Sequence, residues 1–429
     1  MQSFFIKIFS TISRHTTEVR EGGTRVLFRK FNSISLKILS LPMKICLFLP
    51  VIFLMRIVRP VLFIRIGDLD IGRIGGMEKA LHYSCIRNTG LFEKKYFDIF
   101  FLIPTPVISN QQWLNMWKRN LRICPLYFSK FMIILYELNR LIPGGSSHVI
   151  EVMPKGYFEQ NRVVEAELLS PKPILCFTKE EEEIGIKALQ EFGVNSKVPF
   201  ICFHNRDSSY LDKKMPGHEW SYHDYRDSSI KNYMMAAKEI TKRGYYAFRM
   251  GEIVKESLIG NNSAIVDYPT NGKRSEFLDV YLGAKCDFMI CSETGLNHIP
   301  IVFRRPVVLV NYVLLWGLIR WPSGIVISKK YYSSKDKRYL SFKEIIELGV
   351  FSTGDFLLQE GIRLVENTAS EIHDAAIEMD ERLKGNWKIT KEDEDLQDRF
   401  WEILGKNKLK NPDLRVGSKF LQQNQDLLV

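Results

Sequence analysis

Four short polar clusters in the second half of the 429-residue chain hold residue types suited to gripping a phosphate ester: His204-Asn205-Arg206-Asp207, Arg226-Asp227-Ser228-Ser229, Arg249-Met250-Gly251 and Ser292-Glu293-Thr294-Gly295. Arg206, Arg226 and Arg249 offer guanidiniums, which take phosphate oxygens through paired charge-assisted hydrogen bonds. Ser292, Thr294 and Gly295 make a small-residue turn ahead of an apolar helical stretch, so the N–H groups that open that helix point toward an anion. Glu293 is unsuited to phosphate and fits a ribose or sugar hydroxyl. His204 and Asn205 are read as further ligand contacts, and Gly251 as the close of its strand-end loop. Taken singly, Asp227, Ser292 and Thr294 serve equally well as helix caps and Arg249 as surface charge. As a set they supply what a nucleoside diphosphate requires. If that diphosphate leaves, the same cations and helix amides stabilise the developing charge, and no metal is needed.

Such a transfer also needs a base beside the acceptor hydroxyl. The candidate is Asp68, the first carboxylate after the apolar run Val61–Ile66, with Asp70 two residues on. Asp68-Leu69-Asp70 is a D-x-D, a pattern that can hold a divalent cation, yet Asp393-Glu394-Asp395 repeats it in a polar tail with no strand before it. His204, His218, His223 and His298 fall in or near the polar loops at spacings of 14, 5 and 75, which match no common metal template. His82 is expected to pack within its helix. No metal site and no cofactor are expected.

The elements that must carry these loops follow from the hydrophobic pattern. Val61–Ile66, a loop through Gly67, Gly72, Gly75 and Gly76, and a helical pattern over Met77–Ile86 read as strand, glycine-rich loop and helix. Phe97–Ile103 reads as the next strand, and Gln111–Leu141 as helical. Thr178 and Glu181 form a capping box for a helix stopped at Gly193. Strands are then expected at Val198–Phe203, Tyr245–Arg249, Ala264–Asp267, Asp287–Cys291 and Val307–Val310, alternating with helices that include Ser275–Gly283 and Leu296–Phe303. Repeated βα units imply a parallel sheet, all of whose strand C-termini share one edge, where ligands bind by default. After Trp316 the pattern loosens to a short strand at Ile325–Ile327, a helix near Ala369–Lys384 and a helical stretch around Asp395–Leu404.

Composition narrows the class. The chain is 45% hydrophobic and 25% charged, and its length favours two domains. Seven scattered cysteines without a C-x-x-C pair read as reduced thiols. Residues 1–60 hold ten Lys and Arg against two Glu, a net +8 of the chain's +11. A basic arm on a near-neutral body is unlike a nucleic-acid enzyme, which spreads its charge along a working groove. Within the arm, Ile45–Met55 (ICLFLPVIFLM) is an eleven-residue apolar run, too short to span a bilayer. With the apolar segments Phe4–Ile12 and Ile34–Leu41 it suits helices lying in the headgroup layer of an anionic membrane, or else a helical part of the first domain's core.

The motifs resemble a family of bacterial glycosyltransferases associated with surface-polysaccharide loci. The resemblance runs from about residue 60 to 425 and rests on Arg65-Ile66-Gly67, the block Tyr225–Tyr233, the block Gly244–Gly251, Ser292-Glu293-Thr294-Gly295, and Arg415-Val416-Gly417 followed by Phe420-Leu421. Gly67-Asp68 is also similar to a loop of lipopolysaccharide heptosyltransferases in which an Asp is catalytic, and His204-x-Arg206 to the H-x-R of fucosyltransferases, whose Arg meets the donor β-phosphate. The E-x7-E pair of many retaining enzymes is missing, since Ile301 stands eight residues after Glu293. The resemblance therefore implies an inverting, metal-independent transferase that moves a sugar from a nucleotide-sugar donor to a surface-glycan or lipid-linked acceptor. The implied fold is α/β, two Rossmann-like domains facing a cleft, the GT-B arrangement. Its expected parts are a basic membrane-surface segment (1–59), an acceptor domain (60–177), a donor domain (178–385) and a tail (386–429) packing back on the first domain. The expected setting is the cytoplasmic face of the plasma membrane. Two alternatives stand beside it: a metal-dependent GT-A-type enzyme using Asp68 and Asp70, and a non-catalytic polysaccharide-assembly protein.

Overall fold

The structure, a computed structural model, describes residues 42, 46–88, 90, 96–150, 170, 172–195, 198–217, 220–258, 260–313, 315, 323–349, 354–405 and 413–429. The segments Phe4–Ile12 and Ile34–Leu41, His218 and Trp316 lie outside these residues. The chain forms two compact units: the first takes in residues up to Asp68 with 94–101 and 124–150, the second residues 69–93, 102–123 and 151–429.

In the first unit, β1 (Phe63–Leu69) and β2 (Tyr96–Leu102) pair in a two-stranded sheet, and Ile66 bridges in parallel to Val149. Residues 46–57 are helical. Phe48, Ile52 and Met55, spaced four and three apart, turn one face of that helix into a core with Ile66, Phe101 and Met132, Leu135 and Leu138 of the helix Ser129–Leu141. The apolar run read from the sequence as a membrane-surface segment is thus half core. No helix among the described residues is long and apolar enough to cross a membrane. The stretch expected as one helix from Gln111 to Leu141 is two, Gln111–Asn120 and Ser129–Leu141, broken before Pro125.

The second unit is built on a seven-stranded sheet, every pairing in it parallel. Its strands in chain order are β3 (Phe200–His204), β4 (Tyr246–Arg249), β5 (Ile265–Asp267), β6 (Met289–Cys291), β7 (Val307–Tyr312) and β8 (Gly324–Ser328), with β12 (Leu414–Val416) from the tail. Across the sheet the order is β12-β8-β7-β6-β3-β4-β5. The chain therefore builds outward from β3 in one direction through β4 and β5, then returns to β3's other side for β6 and continues through β7 and β8. Between β3 and β6 the winding reverses, which leaves a crevice beyond their carboxyl ends. Strands buried on both faces are near-continuous apolar runs, as in Phe200–Phe203 and Val307–Val310.

Two features of this unit differ from expectation. β9 (Lys330–Ser333), β10 (Arg338–Tyr339) and β11 (Ile362–Val365) form a small antiparallel sheet where the sequence pattern loosens. The tail, expected to pack back on the first domain, adds β12 in parallel to β8, closing the sheet's edge. Gln397 fixes it there: its Nε2 donates to the Val416 carbonyl (2.6 Å) and its Oε1 accepts from the Val416 N–H (3.1 Å). Asp393, half of the second D-x-D, is a helix cap that accepts from the Thr390 N–H.

Segments 69–93 and 102–123, expected with the first domain, are counted in the second unit, and the bonds of the second segment give the reason. At the start of the helix Gln111–Asn120, Asn110 Nδ2 donates to the Glu276 carbonyl (2.8 Å) and the Gln111 N–H to Glu276 Oε2 (2.9 Å). At its far end Arg119 pairs with Glu181 (2.9 Å), and Asn120 Nδ2 donates to the Ile174 carbonyl (3.1 Å).

Candidate functional site

Beyond the carboxyl ends of β3, β4 and β6 lies a cavity of about 470 Å³, lined wholly by residues of the second unit. That is within the range of small-molecule sites. His204 to Asp207 follow β3, Gly251 to Ile253 follow β4, and Glu293 to His298 follow β6; Arg73 to Gly76, Glu78 and His82 form another part of the wall. At the winding reversal the β3 and β6 loops are stitched together. The Arg206 N–H donates to Ser292 Oγ (2.8 Å), and the Ser292 N–H to the His204 carbonyl (3.3 Å). Asn205 Nδ2 donates to the Ser228 carbonyl (2.7 Å), which fastens the 226–229 loop to the same edge.

Two glycines make the wall tight. A Cβ on Gly295 would stand 2.9 Å from the Gly75 nitrogen, and one on Gly75 would stand 3.1 Å from the Gly295 Cα, so the two backbones touch where no side chain fits. Gly251 has φ +143°, a conformation open to glycine, and a Cβ there would stand 3.0 Å from the Val254 side chain.

One region of the cavity is cationic. Arg206 is buried, ion-paired to Asp227, with Asp224 at 3.9 Å. Its Nη1 carries the ion pair to Asp227, and its Nη2 has no hydrogen-bond partner. Burial, then the charge of Arg226, pulls it down to about 10. Lys329, buried behind it with Nζ donating to the Asp227 carbonyl (2.6 Å), is pulled to about 8 by burial, with Arg206 adding to the drop. Arg226 Nη2 donates to His223 Nδ1 (2.7 Å). Because a guanidinium only donates, His223 is neutral with its proton on Nε2, which is buried and unpartnered. Burial holds its pKa at about 3, helped by Arg226, Arg206 and Arg73. His204 is neutral with the opposite tautomer: its Nδ1–H donates to the Met250 carbonyl (2.9 Å), and burial pulls it to about 4. Three guanidiniums and an imidazole N–H thus surround one part of the cavity, with a desolvation cost that an anion would offset.

Another part is acid–base rather than cationic. Asp279, buried in the wall, accepts from Arg274 Nη2 (2.6 Å), and burial raises it to about 6. Arg274 also reaches Glu252 (3.4 Å).

Of the residues singled out in the sequence, His204, Asn205, Arg206, Arg226, Gly251, Glu293, Thr294 and Gly295 come together on this wall. Ser292 is fully buried behind it, its hydroxyl taken by Arg206 N–H. Thr294 Oγ1 accepts from the Leu296 N–H (3.2 Å), the cap of a 3-10 turn that leads into the five-residue helix His298–Val302. Arg249 is not on the wall. It is 1% exposed, and its Nη1 donates to the Glu256 carbonyl (2.5 Å) and to Asp267 Oδ1 (3.2 Å), tying the loop after β4 to β5. Asp68 is the sixth residue of β1 and is not among the lining residues. Asp70 caps its own turn, Oδ1 accepting from the Gly72 N–H (2.9 Å). His82 and His298, expected to pack or set aside, line the cavity, as do Arg73, Glu78, His223, Arg274 and Asp279. Among the described residues no group of three His, Cys, Asp or Glu could hold a metal ion.

No protein-family model matches the chain, and no curated protein matches it. Among solved structures the chain is similar to a glycosyl transferase of family 9 from Veillonella parvula, at 11% identity and a TM-score of 0.42, covering 73% of this chain and 96% of that one. It is similar to the ADP-heptose lipopolysaccharide heptosyltransferase II of E. coli, at 14% identity and a TM-score of 0.36, covering 69% and 97%. An iron-containing dodecameric glycosyltransferase of enterotoxigenic E. coli follows at 10% identity and a TM-score of 0.30, covering 57% of each chain.

Proposed function

We propose that the chain is a glycosyltransferase whose cavity takes the nucleoside diphosphate of a sugar donor, with the diphosphate on Arg206, Arg226 and the His223 Nε2–H. The observation that carries this reading is Arg206: a buried cation at the winding reversal of a parallel sheet, flanked by two further guanidiniums, whose Nη1 is held by Asp227 and whose Nη2 has no hydrogen-bond partner in the protein. In the reaction the acceptor oxygen forms a bond to the donor's anomeric carbon as the bond to the diphosphate breaks. The electron pair leaves on the phosphate oxygen, where the cations stabilise it. The acceptor's proton goes to a base, for which we propose Asp68, in an inverting, metal-independent transfer. We take the acceptor to be a surface glycan or lipid-linked sugar at the cytoplasmic membrane face, within a GT-B arrangement.

A thermal-shift panel of UDP, GDP, CMP and dTDP tests the donor site, because a ligand that binds only the native state raises its melting temperature. At least one is expected to do so in the parent and not in Arg206→Ala. Absence of any shift at millimolar nucleotide would remove the reading.

A further inference from the structure

The helix 46–57 is apolar on both faces. While Phe48, Ile52 and Met55 enter the first unit's core, Leu47, Phe53, Leu54 and Ile57 point away from it, at 67%, 66%, 59% and 57% exposure. The Phe48 ring packs on Phe131 at 4.8 Å, at the start of the helix Ser129–Leu141. Immediately before that helix, the turn Leu126–Phe128 buries none of its residues, and Tyr127 is 79% exposed. Apolar residues scattered singly over a surface mean little, but four exposed apolar side chains on one short helix mark an interaction site. Tyr and Phe beside a leucine-rich face are the composition of a surface that sits at the boundary of headgroups and acyl chains.

Charge selects the occupant. Residues 1–44 carry eight Lys and Arg against Glu18 and Glu21, and Arg56 and Arg59 lie on or just beyond the helix. A second copy of the chain would bring the same positive charge to the contact. An anionic bilayer meets both properties, because its headgroups attract the cations and its acyl boundary takes the apolar face.

We propose that the outward face of helix 46–57, with the Leu126–Phe128 turn, inserts into the interfacial layer of an anionic lipid bilayer. This deepens the membrane-face part of the functional reading and does not depend on what the cavity binds.

The test is co-sedimentation of the full chain with vesicles of phosphatidylcholine alone or mixed with phosphatidylglycerol. The variants are the pair Phe53→Asp/Leu54→Asp and the pair Tyr127→Ala/Phe128→Ala. The parent is expected to pellet with the anionic vesicles and less at high salt. The first pair should lower its partition by at least about tenfold, and the second by less, with melting temperatures and nucleotide shifts as in the parent. Unchanged partition in the first pair would overturn the proposal. So would a parent dimer that the substitutions split, which makes the face a contact between copies. Lower melting temperatures in both variants, with no change in vesicle binding, would overturn it too, since the face is then covered by residues 1–41. Loss of nucleotide shift in the parent speaks only to the cavity.

Discussion

At the scale of single residues, Arg206 and Arg249 look alike in the sequence, each an arginine at the end of an apolar strand, and the structure gives them opposite work. Arg206 lines the cavity with its Nη2 unpartnered, so Arg206→Ala is expected to weaken binding of a nucleoside diphosphate by about 1.5–3 kcal/mol, roughly 10- to 150-fold, as read by calorimetry. Arg249 is spent on Asp267 and the Glu256 carbonyl. Removing it leaves the half-buried Asp267 without its cation, though still accepting from the Leu258 N–H and Thr270 Oγ1, and leaves the Glu256 carbonyl without its donor, so Arg249→Ala should cost on the order of 1–3 kcal/mol of stability in urea unfolding. A variant that unfolds like the parent but loses nucleotide would return Arg249 to the site. What separated the two was invisible in the sequence, because Asp267 lies eighteen residues further on and reaches Arg249 only through the pairing of β4 with β5. His223 was hidden for a similar reason. Nothing in its spacing marks it, and its role comes from Arg226 in its own turn together with Arg206 and Arg73, which other loops bring to it. Asp68 rests where the sequence put it, as a proposed base. Asp68→Asn should then lower transfer by about 10²–10⁴-fold while leaving donor affinity near the parent's, and a parental transfer rate would move the base elsewhere.

At the scale of elements, the alternating βα pattern between residues 198 and 312 was legible because the strands are short apolar runs closed by polar loops and Ser229, Ser275 and Thr294 cap the helical segments between them. Thr178 caps its helix as read, and Ser275, read as the first residue of its helix, is that helix's cap. Elements whose existence depends on distant pairing were not legible: β12 is three residues long and becomes a strand only against β8, and β9 to β11 support one another. The segment after β1 was read as a glycine-rich loop of the first domain, whereas its glycines serve the second unit's cavity. Gly75 and Gly295 touch backbone to backbone. Gly295→Ala would place a methyl 2.9 Å from the Gly75 nitrogen, and since backbone cannot rotate aside, the two loops must separate. We expect a loss of about 1–3 kcal/mol in stability together with weaker nucleotide binding, whereas Gly260→Ala, with open space at its Cβ and no left-handed backbone, should leave both intact. Equal behaviour of the two variants would show that the close approach does not shape the cavity.

At the scale of the whole molecule, the pH dependence of stability between pH 7 and 5 is set mainly by the histidines, because the lowered carboxyls of Glu181, Glu344 and Asp380 lose their contribution only further down. His204 and His223 have folded values of about 4 and 3 against an ordinary 6.5, and His148 and His298 are lowered too. For each, both states are neutral above pH 6.5, so its full contribution is present there. As pH falls below 6.5 the unfolded chain takes up protons that the folded one refuses, and stability is lost until the folded value is reached. Asp279 and Asp287 run the other way, because burial raises them. Asp279 takes up its proton in the folded state near pH 6, ahead of the unfolded chain, and so returns some stability between about 6 and 4. Four lowered imidazoles against two raised carboxyls predict a melting temperature that falls between pH 7 and 5. A bound diphosphate changes that balance locally. Its negative charge beside Arg206, Arg226 and His223 favours the imidazolium, so the ligand-bound protein should refuse fewer protons and its melting temperature should fall less over the same interval. Replacing His223 by Asn should flatten the free protein's profile and remove most of the difference between free and bound. A melting temperature that rises toward pH 5 in the free protein would show that the carboxyls dominate. Parallel free and bound profiles would place the diphosphate away from His223, and with it away from the cationic region of the cavity.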